Sequence, residues 1–145
     1  MTGVQTCALP ISESEPLVSV KGYDIESGLL FDADGERLIG VRYEAETQAT
    51  LWLDPKWAAR QAAVDRALQG KANVLSGKPD GPIVIRSYSD TSPARYYLMD
   101  PLLGKVSLLG ASRPWVDEKH QSPGDFIRYD ARDGLSIPEI GRAHV

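Results

Sequence analysis

Cysteine and histidine are the side chains that most often carry chemistry, and in this chain of 145 residues they are Cys7, His120 and His144. Cys7 and His144 stand at opposite ends, in Thr6-Cys7-Ala8-Leu9-Pro10-Ile11 and Ile140-Gly141-Arg142-Ala143-His144-Val145. The two stretches share one coding string. The second can be written ATC GGA AGA GCA CAC GTC. The complementary strand, GACGTGTGCTCTTCCGAT, read one base on as ACG TGT GCT CTT CCG AT, encodes the first. An inverted repeat of one DNA sequence, with the form of a sequencing-library adapter, accounts for both ends. Residues 1–12 and 139–145 are therefore read as adapter sequence, with Glu139 at the margin, and kept out of fold reasoning. The chain is then expected to be a reading frame cut at both ends.

Without those ends no cysteine is left, which excludes disulfides, thiolate catalysis and cysteine zinc sites. His120 becomes the sole imidazole, too few for a two-histidine metal site. It lies in Asp117-Glu118-Lys119-His120-Gln121-Ser122, and such polar surroundings read as a solvated linker histidine. Asp32 and Asp34 have the character of a calcium loop, but Gly35 ends the run and no glutamate follows at loop spacing, so a turn is expected. Tyr96 and Tyr97 fall on opposite faces of one strand. Arg86 and Arg95 are the substrate-binding candidates: facing a tunnel, they would meet a peptide carboxylate. Ordinary cross-strand pairing accounts for them equally well. No G-x-S-x-G elbow occurs, and no catalytic residue, cofactor-binding residue or metal ligand is assigned. No cofactor is expected.

Composition narrows the class. At 42% hydrophobic and 25% charged, the chain is ordinary globular material. No apolar run approaches membrane-spanning length. A net charge of −4, without a basic stripe, argues against nucleic acid as a partner.

The elements that would position these residues are mostly short strands. LLFDADGERLIGVRYE predicts a strand to Phe31, an Asp32-Ala33-Asp34-Gly35 turn and a strand over about 36–44. After the turn Ala45-Glu46-Thr47-Gln48, ATLWLD makes a third strand. DPKWAARQAAVDRALQG has Asp54 as N-cap, Pro55 at the first helical position and Gly70 beyond the last turn. A helix over about 55–69 follows, with Trp57, Gln61, Val64 and Leu68 on one face; Trp57, Val64 and Leu68 should dock on the sheet. NVL begins another strand. In IVIRSYSD, Ile83, Ile85 and Ser87 alternate with Val84, Arg86 and Tyr88. ARYYLMD and KVSLLG complete a second meander through the DTSP and PLLGK turns. From Ala111, ASRPWVDEKHQSPGD has linker composition. FIRYDARDGLSIP then reads as a hairpin turning at Arg132-Asp133-Gly134.

The fold class expected is mainly β: antiparallel meanders with one inserted helix. Two meanders of similar size suggest about two blades of an incomplete β-propeller; a β-sandwich fits the spacing almost as well. SYSDTSPARYYLMDPLLGKVSLLGASRPW followed by FIRYDARDGLSIP resembles the prolyl oligopeptidase family of serine peptidases, in its bacterial dipeptidyl aminopeptidase and acylaminoacyl peptidase branch. LLFDADGERLIGVRYE and the 55–69 helix also resemble that family's penultimate blade. The resemblance implies a partial propeller over 13–110, a linker over 111–125 and the first strands of an α/β-hydrolase domain over 126–138. In it, Arg113-Pro114-Trp115 leads out of the last blade and Ala131-Arg132-Asp133-Gly134 opens the hydrolase domain. EKHQSPGD departs from the more apolar lead-in expected there.

What the resemblance implies for function is a parent enzyme that hydrolyses peptide bonds of short peptides. Its propeller would restrict substrate access, and its Ser-His-Asp triad would lie beyond this chain. This chain alone would be inactive, and as severed blades it would self-associate through exposed sheet edges. A bacterial protein, cytoplasmic or exported, is implied. The alternative is a non-enzymatic β-propeller module that binds peptides or a protein partner.

Overall fold

Asp32 decides where the first hairpin turns. In a computed structural model, which describes residues 18–20, 23, 25, 28–78, 80–100 and 105–141, its Oδ1 accepts from the backbone N–H groups of Glu36 and Arg37 at 3.0 and 3.3 Å. Those residues are thereby held in the turn. Strand β1 (Leu29–Phe31) pairs with β2 (Leu38–Glu44), which starts two residues later than alternation alone suggests. Gly35 takes φ +76°, the left-handed backbone that favours glycine. β3 (Gln48–Trp52) completes a three-stranded sheet in the order β1-β2-β3. It stops at Trp52 because Leu53 and Asp54 both turn their N–H groups onto the Ile39 carbonyl.

Helix α1 (Pro55–Ala67) follows at once, with Asp54 as its N-cap and Pro55 in the first turn. Asp54 Oδ1 accepts from Lys56 N at 2.9 Å and Trp57 N at 3.2 Å, filling two of the donors a helix start leaves open. Its other oxygen takes Arg37 Nη2 at 3.0 Å. The helix ends slightly before the expected position, Leu68 N–H closing onto Val64 O, and Gly70 carries the chain out at φ +70°.

A second sheet takes the strands in the order β4-β5-β6-β7: β4 (Ala72–Gly77), β5 (Ile83–Tyr88), β6 (Arg95–Asp100) and β7 (Lys105–Ala111). The expected turn at 101–104 lies outside the described residues. β8 (Asp125–Asp130) and β9 (Ser136–Gly141) form a separate two-stranded hairpin, and β9 runs on past Pro138. The protein is mainly β: three antiparallel sheets and one helix. Among the described residues these sheets close into no barrel or propeller ring.

The core lies where α1 covers both meanders. Ile39, Trp57, Val64, Leu75, Ile83 and Ile85 are buried together, with Leu30, Trp52, Leu68, Tyr97 and Met99 packed around them. Trp57 and Val64 are the buried helix positions, and with Leu68 they occupy the face that helical spacing assigns them. The indoles of Trp52 and Trp57 stack 4.7 Å apart, 8° from parallel. Gly40, the register partner of Trp52, leaves room for this: a Cβ there would sit 2.8 Å from the Trp52 ring.

Asp54 ties the helix start to the first hairpin, and its carboxyl is held below its ordinary 3.8. The hydrogen bond from Trp57 N–H does most of this, helped by those from Arg37 and Lys56 and opposed by desolvation. A depressed folded-state value means that the ionised cap stabilises the fold above the unfolded carboxyl's range and stops doing so as pH falls through the folded value. Asp54→Asn keeps an acceptor for the helix but loses the charge facing Arg37. Wild type should therefore melt higher than D54N at neutral pH, with the difference shrinking to nothing in acid. A constant difference in melting temperature across the acid range would contradict this.

Candidate functional site

Alternation along β5 sends Ile83, Ile85 and Ser87 into the core and leaves Arg86 on the opposite face. There Arg86 stands in register between Val74 of β4 and Tyr96 of β6. Its guanidinium lies 4.7 Å over the Tyr88 ring and donates from Nη2 to Gln48 Oε1 at 3.2 Å. Gln48 is fixed in turn, its backbone N–H on the Tyr88 hydroxyl at 3.3 Å and its side-chain amide on Glu44 at 2.6 Å. The start of β3 is thus fastened to the face of the second sheet.

Arg42, from β2, reaches the same place and donates from Nη2 to the Leu75 carbonyl at 3.3 Å. Arg42, Arg86, Gln48, Ser76, Val84 and Tyr96 line one cleft of about 210 Å³. Among the described residues neither arginine pairs with a carboxylate. The Nε of each is shielded from solvent and has no hydrogen-bond partner. Two cations thus line one cleft, each with an unmade hydrogen bond, although buried donors are nearly always paired.

Arg95 does not join them. It is the register partner of Ser87, so it projects from the other face of the sheet, and its Nη2 meets Glu118 Oε1 at 2.6 Å. The same oxygen accepts from Ser92 Oγ at 2.9 Å, and Ser92 Oγ accepts from Lys71 Nζ at 2.9 Å. This chain of charges docks the 111–125 segment onto the β5–β6 turn. Gly124 N–H adds a 2.7 Å bond to Asp90 Oδ2. A segment of linker composition is therefore held to the second sheet.

His120 sits in a single 3₁₀ turn, Glu118–His120, with its side chain 82% exposed and Nδ1 3.2 Å from Asp117. Asp32 is committed to its turn: the hydrogen bond from Arg37 N–H does most to depress its carboxyl, helped by Glu36, Gly35 and the Arg37 charge. Tyr97 packs against the core while Tyr96 is exposed. Among the described residues no group of three or more His, Cys, Asp or Glu is placed to hold a metal, and no helix is long and apolar enough to cross a membrane. Arg42 is the residue that sequence reasoning missed. Its one signal is a charge inside the otherwise apolar run LIGVRY.

Comparison with protein-family models, with curated proteins and with solved structures finds no match.

Proposed function

We propose that this chain is the access-restricting, non-catalytic part of a serine peptidase of the prolyl oligopeptidase type. In this reading the β4–β7 sheet is the last blade of a propeller, and β1–β3 with α1 belong to the blade before it. The β8–β9 hairpin opens an α/β-hydrolase domain that carries the triad. Chemistry would lie outside this chain, and the blades would act by excluding large substrates and contacting short peptides.

The observation that carries the reading is the order of parts from β4 onward. A four-stranded meander in strict sequence order exits through Arg113-Pro114-Trp115 and an irregular stretch into a hairpin of its own. That hairpin turns at Ala131-Arg132-Asp133-Gly134, where Gly134 has φ +83° and Ala131 N–H bonds Leu135 O at 2.8 Å. The apolar side chains left uncovered on β7 (Val106, Leu108 and Leu109) and on the hairpin (Ile127 and Tyr129) are what blades and domain strands show when their neighbours are elsewhere. The same surfaces would drive this chain to self-associate.

Two measurements test it. The purified chain should not turn over chromogenic peptide or ester substrates, and turnover blocked by a serine-directed inhibitor would contradict the assignment. Sequencing the source DNA across the Pro138 codon should reveal a downstream G-x-S-x-G followed by aspartate and histidine. A stop codon soon after Pro138 would instead favour a non-enzymatic module that binds peptides or a protein partner.

A further inference from the structure

We propose that the cleft between Arg42 and Arg86 is a binding site for a small carboxylate ligand, such as the free C-terminus of a short peptide. The inference stands on the cleft itself and does not require a peptidase.

Three observations lead to it. The first is charge without compensation. Guanidinium groups stay ionised at any working pH, and two of them beside one cleft repel each other unless an anion lies between. Glu44 touches the site only through Gln48, and no described carboxylate forms an ion pair with either arginine.

The second is donor capacity. Each guanidinium offers five N–H groups, yet among the described residues that of Arg42 makes one hydrogen bond, to Leu75 O, and that of Arg86 one, to Gln48 Oε1. Both groups are also held in place, Arg42 by that carbonyl and Arg86 by the Tyr88 ring and Gln48. A positioned fork with donors to spare is what bidentate recognition of a planar oxyanion requires.

The third is the wall. Val74, Val84 and Tyr96 line the cleft beside the charges, with Ser76 and Gln48 as its polar groups. At about 210 Å³ it is smaller than the usual pocket for a drug-sized ligand. It suits a carboxylate carried on a short, partly apolar stem. A bare phosphate would satisfy the arginines and leave those side chains without a partner, so the carboxylate is the better fit.

The test is calorimetric titration of the whole chain with N-acetyl-Ala-Ala, with the same compound as its C-terminal amide, and with inorganic phosphate. The free acid should bind, and the amide should bind at least about tenfold more weakly, the size of effect expected when hydrogen bonds to a charged group are lost. R42Q and R86Q should each weaken the acid by a similar factor, R86K by less, and R95Q should have no effect. The acid-against-amide comparison needs no variant, so it decides even if a glutamine replacement disturbs folding. Equal binding of acid and amide, no binding of the acid, or phosphate binding more tightly than the acid would each overturn the proposal. None of these results bears on whether a triad lies downstream, so the two proposals fail separately.

Discussion

Trp57→Ala is expected to lower the unfolding free energy by about 3–5 kcal/mol, the range for emptying a large aromatic site in a core. Against a total stability of about 5–15 kcal/mol for an ordinary domain, that is a large share. The reason is position as much as size. Trp57 is 1% exposed, stacks on Trp52, and belongs to the cluster that joins Ile39 of the first sheet to Leu75, Ile83 and Ile85 of the second. The helix therefore holds the two meanders together through this side chain. Trp57→Phe makes the sharper comparison. It keeps a flat ring against Trp52, and it removes an indole N–H that is buried without a partner, so part of its packing loss is offset. Urea denaturation followed by circular dichroism should order the three proteins wild type, W57F, W57A, with W57F much nearer wild type. An alanine variant within about 1 kcal/mol of wild type would mean that α1 is only loosely laid on the sheets, since ordinary surface changes fall within that range.

How much of this was legible beforehand depends on the range of the interaction. The two hairpin turns at Gly35 and Gly134, the Asp54-Pro55 helix start and the alternation of Ile83, Ile85 and Ser87 are local, so residue types a few positions apart contain them. The register between strands is not local. Arg86 and Arg95 are equivalent candidates in the sequence, but the pairing across the seven residues 88–94, between Ser87 and Arg95, sets which face Arg95 takes. Shifting a pairing by one residue exchanges the faces; with Ser87 opposite Arg95, the two arginines are divided by the sheet. Arg42 shows the same limit more strongly, since it meets Arg86 from a different sheet, and nothing near either residue announces the other. The 111–125 segment read as linker because its prolines and charges break periodicity. Its docking depends on Arg95, Ser92 and Asp90, whose involvement composition does not reveal.

The polar hub behind the helix carries the second large effect. Asn73, 7% exposed, donates from Nδ2 to Asp65 Oδ1 at 3.0 Å, to Lys71 O at 3.2 Å and to Leu68 O at 3.3 Å. Gln61, which helical spacing places on the packed face, bridges Trp52 Nε1, Asp65 and the Asn73 carbonyl. One amide nitrogen thus satisfies acceptors at the helix end and in the loop leading to β4, while the Asn73 Oδ1 is buried without a partner. Asn73→Leu removes the donor and leaves the part-buried Leu68 and Lys71 carbonyls without it, at about 1–3 kcal/mol. Asn73→Asp has almost the same shape, yet it turns an ionised oxygen toward two carbonyls and a carboxylate, so its loss should exceed that of N73L. The expected order of denaturation midpoints at neutral pH is wild type, N73L, N73D. Volume alone predicts the reverse order for the two variants, because aspartate is nearly isosteric with asparagine and leucine is not. An N73D protein as stable as wild type would show that the amide donates nothing there and that packing by Trp57 and Val64 suffices to seat the helix.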